Sequence, residues 1–225
     1  MDFVFEDRAP ESPLLEAFWR TQSSMAGSFI SQAATSWEMV IWRYQGKNHV
    51  TVRGPETRAV VTNCPADAEF FGVRFKTGTY MPHLPIEKMV NGDILLLEAG
   101  KKSFWLNGSV WERPTFDNAD IFIQRMVRQG LLVSDPVVEA VLANRPLKIS
   151  PRALQYHFVQ ATGITQSTFH QIQRAHKAAE MLRNGASILN AAFENGYYDQ
   201  AHLTRSLKRF VGQTPRQIAP ISVRI

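Results

Sequence analysis

The run QAHLTRSLKRF at residues 200–210 carries side chains that could bind nucleic acid. At about 100° per residue along a helix, three apolar residues share one side and must face a core: Leu203, Leu207 and Phe210. Small and basic residues lie almost opposite them: Ala201, Arg205 and Lys208, flanked by Thr204 and Arg209. An arginine fork can bind guanine O6 and N7, and a hydroxyl or an ammonium group can hold phosphates. The spacing fits a helix that reads the major groove, and it fits a solvated basic helix equally well.

The N-terminal end of this helix adds two candidates for DNA contact. Gln200 stands where a recognition helix points into the major groove. The free amides of a helix N-terminus also favour phosphate. His202 lies near the same end, where a DNA contact and a structural hydrogen bond both remain open.

Local signals place a shorter helix just before this one. Ser187 can cap a helix that Gly196 ends, and Asp199 can cap the next helix, which Gly212 closes. Two capped helices around a glycine turn are the pattern of a helix-turn-helix. The sequence therefore predicts such a motif near the C-terminus. Farther upstream, Asp135 and Ser150, each followed by a proline, are predicted to cap two earlier helices.

The same residues resemble a known family. The stretch SILNAAFENGYYDQAHLTRSLKRFVGQTP, residues 187–215, resembles the second helix-turn-helix of AraC/XylS-type transcriptional regulators of bacteria. Shared features are the capped Ser-Ile, the Gly-aromatic and Asp-Gln pairs, and the closing Gly-x-Thr-Pro. Upstream, RAHKAAEMLRNG is similar to the connecting helix of the family and SPRALQYHFVQATGIT to its first recognition helix, so the resemblance covers roughly residues 136–218. It implies a regulator that binds promoter DNA and contacts RNA polymerase.

The first helix-turn-helix departs from the family pattern. Pro146 stands where the last turn of its supporting helix should be, and Tyr156 stands where the family commonly has a basic residue. Arg152, Gln155 and Tyr156 are the outward candidates for DNA contact on the helix that follows. We expect this first unit to be degenerate and the second to do most of the reading.

The charge distribution divides the chain near residue 135. Residues 1–135 hold 14 basic and 16 acidic residues, a net charge of −2, whereas residues 136–225 hold 11 and 4, a net charge of +7. A basic region of this kind is typical of nucleic-acid binding, although a solvated basic face would look the same. The predicted domains are therefore 1–134, for sensing or dimerisation, and 135–225, for DNA binding.

The fold class predicted is α+β, with a β-rich N-terminal domain followed by an all-α domain. Short runs rich in Val, Ile and aromatic residues predict strands at 37–44, 49–54, 58–63, 69–75, 93–98 and 102–109. Residues 119–130 predict an amphipathic helix that docks on the sheet or pairs with another copy, giving a homodimer. The aromatic residues of this half are expected to form a core, although they could line a cavity for a small-molecule effector.

Enzymatic chemistry is the rival interpretation, and a protein-interaction module is another. Cys64 could accept an alkyl group, but no neighbouring charge would activate it. A metal-dependent barrel enzyme could use His49 and His83, but these two histidines are isolated. We therefore expect no catalytic residues, no metal and no cofactor. His170 and His176 should be solvated. The single cysteine, together with the lack of a signal peptide or a membrane-spanning run, predicts a cytoplasmic protein without membrane contact.

Overall fold

A computed structural model describes residues 4–84 and 86–220. The strands are β1 (Val4–Arg8), β2 (Leu15–Ser23), β3 (Gly27–Ser31), β4 (Glu38–Tyr44), β5 (Lys47–Arg53), β6 (Val60–Cys64), β7 (Ala68–Phe75), β8 (Thr79–Tyr80), β9 (Asp93–Leu96), β10 (Glu98–Gly100), β11 (Ser103–Leu106), β12 (Ser109–Glu112) and β13 (Val133–Ser134). The helices are α1 (Ala119–Arg128), α2 (Pro136–Leu142), α3 (Pro151–Thr162), α4 (Gln166–Arg183), α5 (Ile188–Glu194), α6 (Gln200–Phe210) and α7 (Pro215–Ile218). A 3-10 helix covers Ile86–Met89. Strands dominate the chain up to residue 134 and helices α2 to α7 follow, which confirms the predicted fold class.

The largest sheet has six antiparallel strands in the order β1-β2-β7-β4-β5-β9. Met39 pairs with Val52 on one side and with Val73 on the other, and all three are fully buried. Paired side chains point to the same face of a sheet, so these residues define its core side. Trp37 stacks on Phe75 in the same core, with ring centroids 3.9 Å apart.

Helix α1 packs into this core. Its apolar residues Ala119, Phe122, Ile123 and Met126 are buried, and Gly130 follows with a φ of +68°. Gly130 therefore stands where the sequence predicted the helix to stop. The apolar side of α1 therefore docks within its own unit, and the predicted pairing of this helix with a second copy stays a prediction.

The described residues divide into two compact units whose segments alternate along the chain. The first unit holds residues 4–27, 36–55 and 63–165, and the second holds 28–35, 56–62 and 166–220. Helices α2 and α3 thus belong with the sheet, and helices α4 to α7 share a unit with β3 and the start of β6. The predicted boundary between residues 134 and 135 stays a prediction, and residues 1–3 and 221–225 of the two predicted domains lie outside the described residues.

Capping residues fix the starts of α2 and α3, as the sequence predicted. The Asp135 side chain accepts hydrogen bonds from the amides of Val137 and Val138, at 2.8 and 3.1 Å, and so caps α2. The Ser150 hydroxyl accepts one from the amide of Ala153 at 3.2 Å and caps α3. Helix α2 is only seven residues long and ends at Leu142, four residues before Pro146.

Candidate nucleic-acid interface

Helix α6 presents a basic side to solvent and an apolar side to a core. Leu203, Leu207 and Phe210 are 0%, 0% and 2% exposed, as the helical spacing predicted. The residues on the other side, Ala201, Arg205, Lys208 and Arg209, are exposed, and so is Gln200 at the start of the helix. Substituting the exposed side chains should leave the core of this unit intact.

The first turn of α6 is held by its capping residue. The Asp199 carboxylate accepts a hydrogen bond from the amide of His202 at 2.6 Å. The His202 ring is half-buried and meets the Tyr197 ring edge-on, with centroids 5.1 Å apart. The Thr204 hydroxyl donates to the carbonyl of Gln200 at 2.7 Å, so its hydrogen is already used within the helix. Among the residues of this turn that were predicted to contact DNA, the side chains of Gln200 and Ala201 are therefore less restricted by contacts within the protein than those of His202 and Thr204.

The turn between α5 and α6 is anchored on α4 through Tyr197. The Ser187 hydroxyl caps α5 by accepting from the amide of Asn190 at 3.2 Å. Tyr197 is 6% exposed and its hydroxyl lies 3.0 Å from that of Ser206. The guanidinium of Arg174, on α4, lies 4.4 Å from the centre of the Tyr197 ring. This packing fixes the angle at which α6 leaves the turn.

Three exposed residues near α6 were not identified from the sequence. Leu189, Phe193 and Tyr198 are 65%, 79% and 93% exposed. Large apolar side chains with this exposure are informative when they lie together on one motif. Leu189 and Phe193 are four residues apart on α5, a spacing that puts them on one side of the helix. A helical plot of residues 188–194 would have separated them from the buried Ala191 and Ala192.

The C-terminal end of α6 contacts segments from the first half of the chain. The amide of Ala59 donates to the carbonyl of Arg209 at 2.7 Å, and the amide of Ala33 donates to that of Phe210 at 2.8 Å. The carbonyl of Ala33 accepts from Nε2 of His176 at 2.7 Å. His176 was expected to be solvated, and this was wrong, because it turns toward a segment that is remote in the sequence. His170, on the same helix, is exposed as expected.

The surroundings of the three candidates on α3 differ from those of the α6 residues. Arg152, Gln155 and Tyr156 are exposed, yet they also line a cleft of about 630 Å³ within the first unit. The remaining lining residues are Tyr80, Pro82, Leu84, Ile86, Val159 and Gln160. Burial, and then the nearby Asp135 carboxylate and Tyr156 phenol, raise the pKa of Tyr80 above its usual value. The outward side of α3 therefore borders a cleft.

A long loop separates α2 from α3. Residues 143–150 connect these helices, whereas the turn of a helix-turn-helix commonly has three or four residues. The Asp135 carboxylate that caps α2 also lies 2.8 Å from Nδ1 of His157 on α3, and Asp135 is 5% exposed. The two helices are therefore tied to one another, but through a side chain at the start of α2.

The rival chemistries find little support among the described residues. Cys64 is 5% exposed at the end of β6, which leaves its thiol little access for an alkyl donor. His49 stacks on Trp42 with ring centroids 4.2 Å apart, and no group of three or more His, Cys, Asp or Glu residues in the described part could hold a metal. None of the described helices is both long and apolar enough to cross a membrane.

Comparison with known proteins finds a family match in the helical region. A family model described as a helix-turn-helix domain matches residues 144–219. Among curated proteins no sequence matches the chain. Two solved structures of ToxT from Vibrio cholerae, one of them bound to (E)-4-(8-methylnaphthalen-1-yl)but-3-enoic acid, are 8% and 9% identical to this chain. Each comparison covers 95% of this chain and 97% of the other, with a TM-score of 0.39.

Proposed function

We propose that residues 144–219 form an AraC-type helix-turn-helix domain in a DNA-binding transcriptional regulator. From this premise, α6 is the helix that reads promoter DNA. The observation that carries this proposal is the division of α6 into a fully buried apolar side and an exposed basic side. Its capped N-terminal turn presents Gln200 and Ala201. A small residue there lets the backbone approach the bases closely.

Within α6 the basic residues have different roles. Arg205 lies in the middle of the exposed side, from which a guanidinium can reach guanine O6 and N7. Lys208 and Arg209 lie in the last turn, and we assign them to phosphates. Tyr198, immediately before the capping residue, is exposed enough to add a contact at the groove edge.

Substitution of single cations tests this division. Arg205→Ala should cost roughly 1–3 kcal/mol on the preferred site and relax one base position. Lys208→Ala should weaken all DNA about equally and reduce the salt slope by about one unit. Arg183→Ala, an exposed cation at the end of α4, is the control and should change neither. Binding is measured on a site selected from a random DNA pool and on scrambled DNA. Equal losses for Arg205→Ala on both DNAs would contradict base reading by α6.

The first helix-turn-helix contributes less to reading. Its supporting helix α2 has seven residues, and the outer residues of α3 line a cleft. We therefore expect Arg152→Ala to cost less affinity than Arg205→Ala. If Arg152→Ala abolished specificity while Arg205→Ala left it intact, the first unit would be the reader.

We assign effector binding to the α3 cleft. Its volume of about 630 Å³ lies within the range of small-molecule sites, and its lining combines apolar side chains with Arg152, Tyr80 and Gln160. Arg152 has no acidic partner among the described residues, so a ligand that carries a carboxylate or phosphate suits it. A thermal-shift screen of such metabolites should give a hit that Arg152→Ala removes, while DNA binding without effector persists. A screen without hits would contradict this assignment and leave the DNA-binding proposal untouched.

A second copy of the chain and RNA polymerase are partners that the resemblance to AraC-type regulators implies, and the proposal of both rests on that resemblance alone. We propose that the regulator acts as a homodimer on promoter DNA in the cytoplasm and contacts RNA polymerase there. Sedimentation equilibrium of the full chain, with and without its selected DNA, tests the dimer. A monomer under both conditions at high concentration would rule it out.

A further inference from the structure

Residues 28–35 and 56–62, which we call the arm, come from the first half of the chain but belong to the compact unit of α6. Strands β3 and β6 pair with one another in a two-stranded sheet. Ala34 and Glu56 add a second link, in which each amide donates to the carbonyl of the other residue at 2.9 Å. The Ser31 hydroxyl donates to the Glu56 carboxylate at 2.6 Å. The arm is thus a hydrogen-bonded element and not a pair of loose loops.

The arm ends on the C-terminus of α6. The last four carbonyls of a helix have no partner within the helix. Two of them, those of Arg209 and Phe210, accept hydrogen bonds from the arm amides of Ala59 and Ala33. Ala33 is held on its other side by His176 of α4. Because a carbonyl only accepts, Nε2 of His176 must carry the hydrogen. The arm therefore bridges α4 and the end of α6.

Close packing at Gly212 reinforces this contact. Gly212 has a φ of +81°, and a Cβ atom added there would lie 2.6 Å from Cγ2 of Ile30 and 3.1 Å from Cβ of Ala59. Both neighbours belong to the arm. A side chain at position 212 would therefore clash with the arm, so that either the Ile30 side chain or the arm itself must shift.

Each part of the arm is inserted in the sequence between two strands of the six-stranded sheet. The chain enters it from β2 and returns to β4, and it enters it again from β5 and returns to β7. These four strands are consecutive neighbours in the sheet, in the order β2-β7-β4-β5. The residues that hold the reading helix thus come from the middle of the N-terminal half.

We propose that the arm positions α6 for base reading, so that Ala33, Ala59 and Ile30 are positioning residues for DNA recognition. This inference rests on the proposed function of α6. If the arm is displaced, α6 keeps its exposed cations and its affinity for phosphates. It loses the fixed direction that brings Arg205 to one base, and base-specific hydrogen bonds tolerate little displacement.

A pair of glycine substitutions isolates the arm. Gly185 has a φ of +88° and nothing lies within 4 Å of a Cβ added there, so Gly185→Ala introduces similar backbone strain without touching the arm. We expect Gly212→Ala to weaken binding to the selected site about tenfold more than Gly185→Ala does, on the scale of one lost base contact. Binding to scrambled DNA should change less than about twofold. Replacing Ile30 by Ala in the Gly212→Ala chain removes the closest clash and should restore part of the specificity.

A second pair of variants works without backbone strain. His176→Ala removes the donor to the carbonyl of Ala33, whereas His170→Ala removes an exposed histidine from the same helix. Only His176→Ala should lower the ratio of selected-site to scrambled-DNA affinity. All affinities are measured below the unfolding transition and corrected for the active fraction, so that a mere loss of folded protein does not count.

The outcomes separate the two proposals. If the wild-type chain selects no DNA site, the proposed function fails. If it selects one, but Gly212→Ala and His176→Ala behave like their controls, the inference about the arm is overturned alone. Equal losses on selected and scrambled DNA would also overturn it, because they would show a general loss of affinity and not a loss of position.

Discussion

The capping residue Asp199 offers a quantitative test of the proposed role of α6 in DNA reading. Its carboxylate accepts the His202 amide hydrogen bond at 2.6 Å and leads into the turn that carries Gln200 and Ala201. Asp199→Ala removes this acceptor without removing packed apolar surface, because Asp199 is exposed. The loss should therefore be confined to the start of α6.

The expected cost of this change is that of one capping residue. Replacing a capping Asp by Ala lowers the free energy of unfolding by about 1 kcal/mol, within a range of roughly 0.5–2 kcal/mol. Asparagine caps helices about as well as aspartate, so Asp199→Asn should lose little stability. The comparison of Ala with Asn separates the hydrogen bond from the charge.

DNA binding should follow the same order. Because the frayed turn carries Gln200 and Ala201, Asp199→Ala should bind the selected site several-fold more weakly than Asp199→Asn. Ser187→Ala removes the cap of α5 and should cost a similar free energy of unfolding with a smaller effect on specificity. Unfolding is followed by circular dichroism in urea, and binding by fluorescence anisotropy on selected and scrambled DNA. Should Asp199→Ala match Asp199→Asn in both measurements, the cap would not be what orders the reading end of α6.

Three further outcomes are expected. A fragment of residues 135–225 should fold, because α4 to α7 share a core. It should discriminate selected from scrambled DNA less well than the full chain, since it lacks the arm. Equal discrimination by the fragment and the full chain in a competition assay would contradict this. Burial lowers the pKa of His83 below 6.5, so the unfolded chain binds a proton more readily than the folded chain, and stability should fall as the pH drops below 6.5. His83→Gln should flatten this pH dependence in thermal melts. Parallel curves of stability against pH for the two proteins would refute it. Trp37→Ala empties the space against Phe75 and should cost about 3–5 kcal/mol in urea unfolding, so a loss below about 1 kcal/mol would show that the core repacks.

Much of the helical region could be predicted from its sequence, because its signals are local. Asp135, Ser150, Ser187 and Asp199 each cap the helix that they were expected to cap. Such signals act within a few residues, and a periodic apolar side such as that of α6 confirms them. The roles of the exposed residues stay predictions, because solvent exposure alone does not identify what binds.

The strands of the first 31 residues were missed, for physical reasons. Strand β2 alternates imperfectly, because its register with β7 shifts between Leu15 and Ala17. Strand β3 has no buried residue, so no apolar alternation could mark it. Its partner β6 was predicted as a strand at 58–63, but the pairing of the two, and their contact with α6, depends on residues that are far apart in the chain.

The same long separation sets an order of events during synthesis. Phe29, Ile30 and Val61 remain 39%, 38% and 68% exposed even in the finished fold. They leave the ribosome between about 150 and about 180 residues before Gly212, which corresponds to roughly 8–37 s at typical synthesis rates. During that interval the nascent chain presents a short apolar strand pair whose covering helix does not yet exist, and such edges invite pairing with other chains. A chaperone that binds extended apolar segments should therefore bind this protein early in its synthesis and dissociate once α6 has been made.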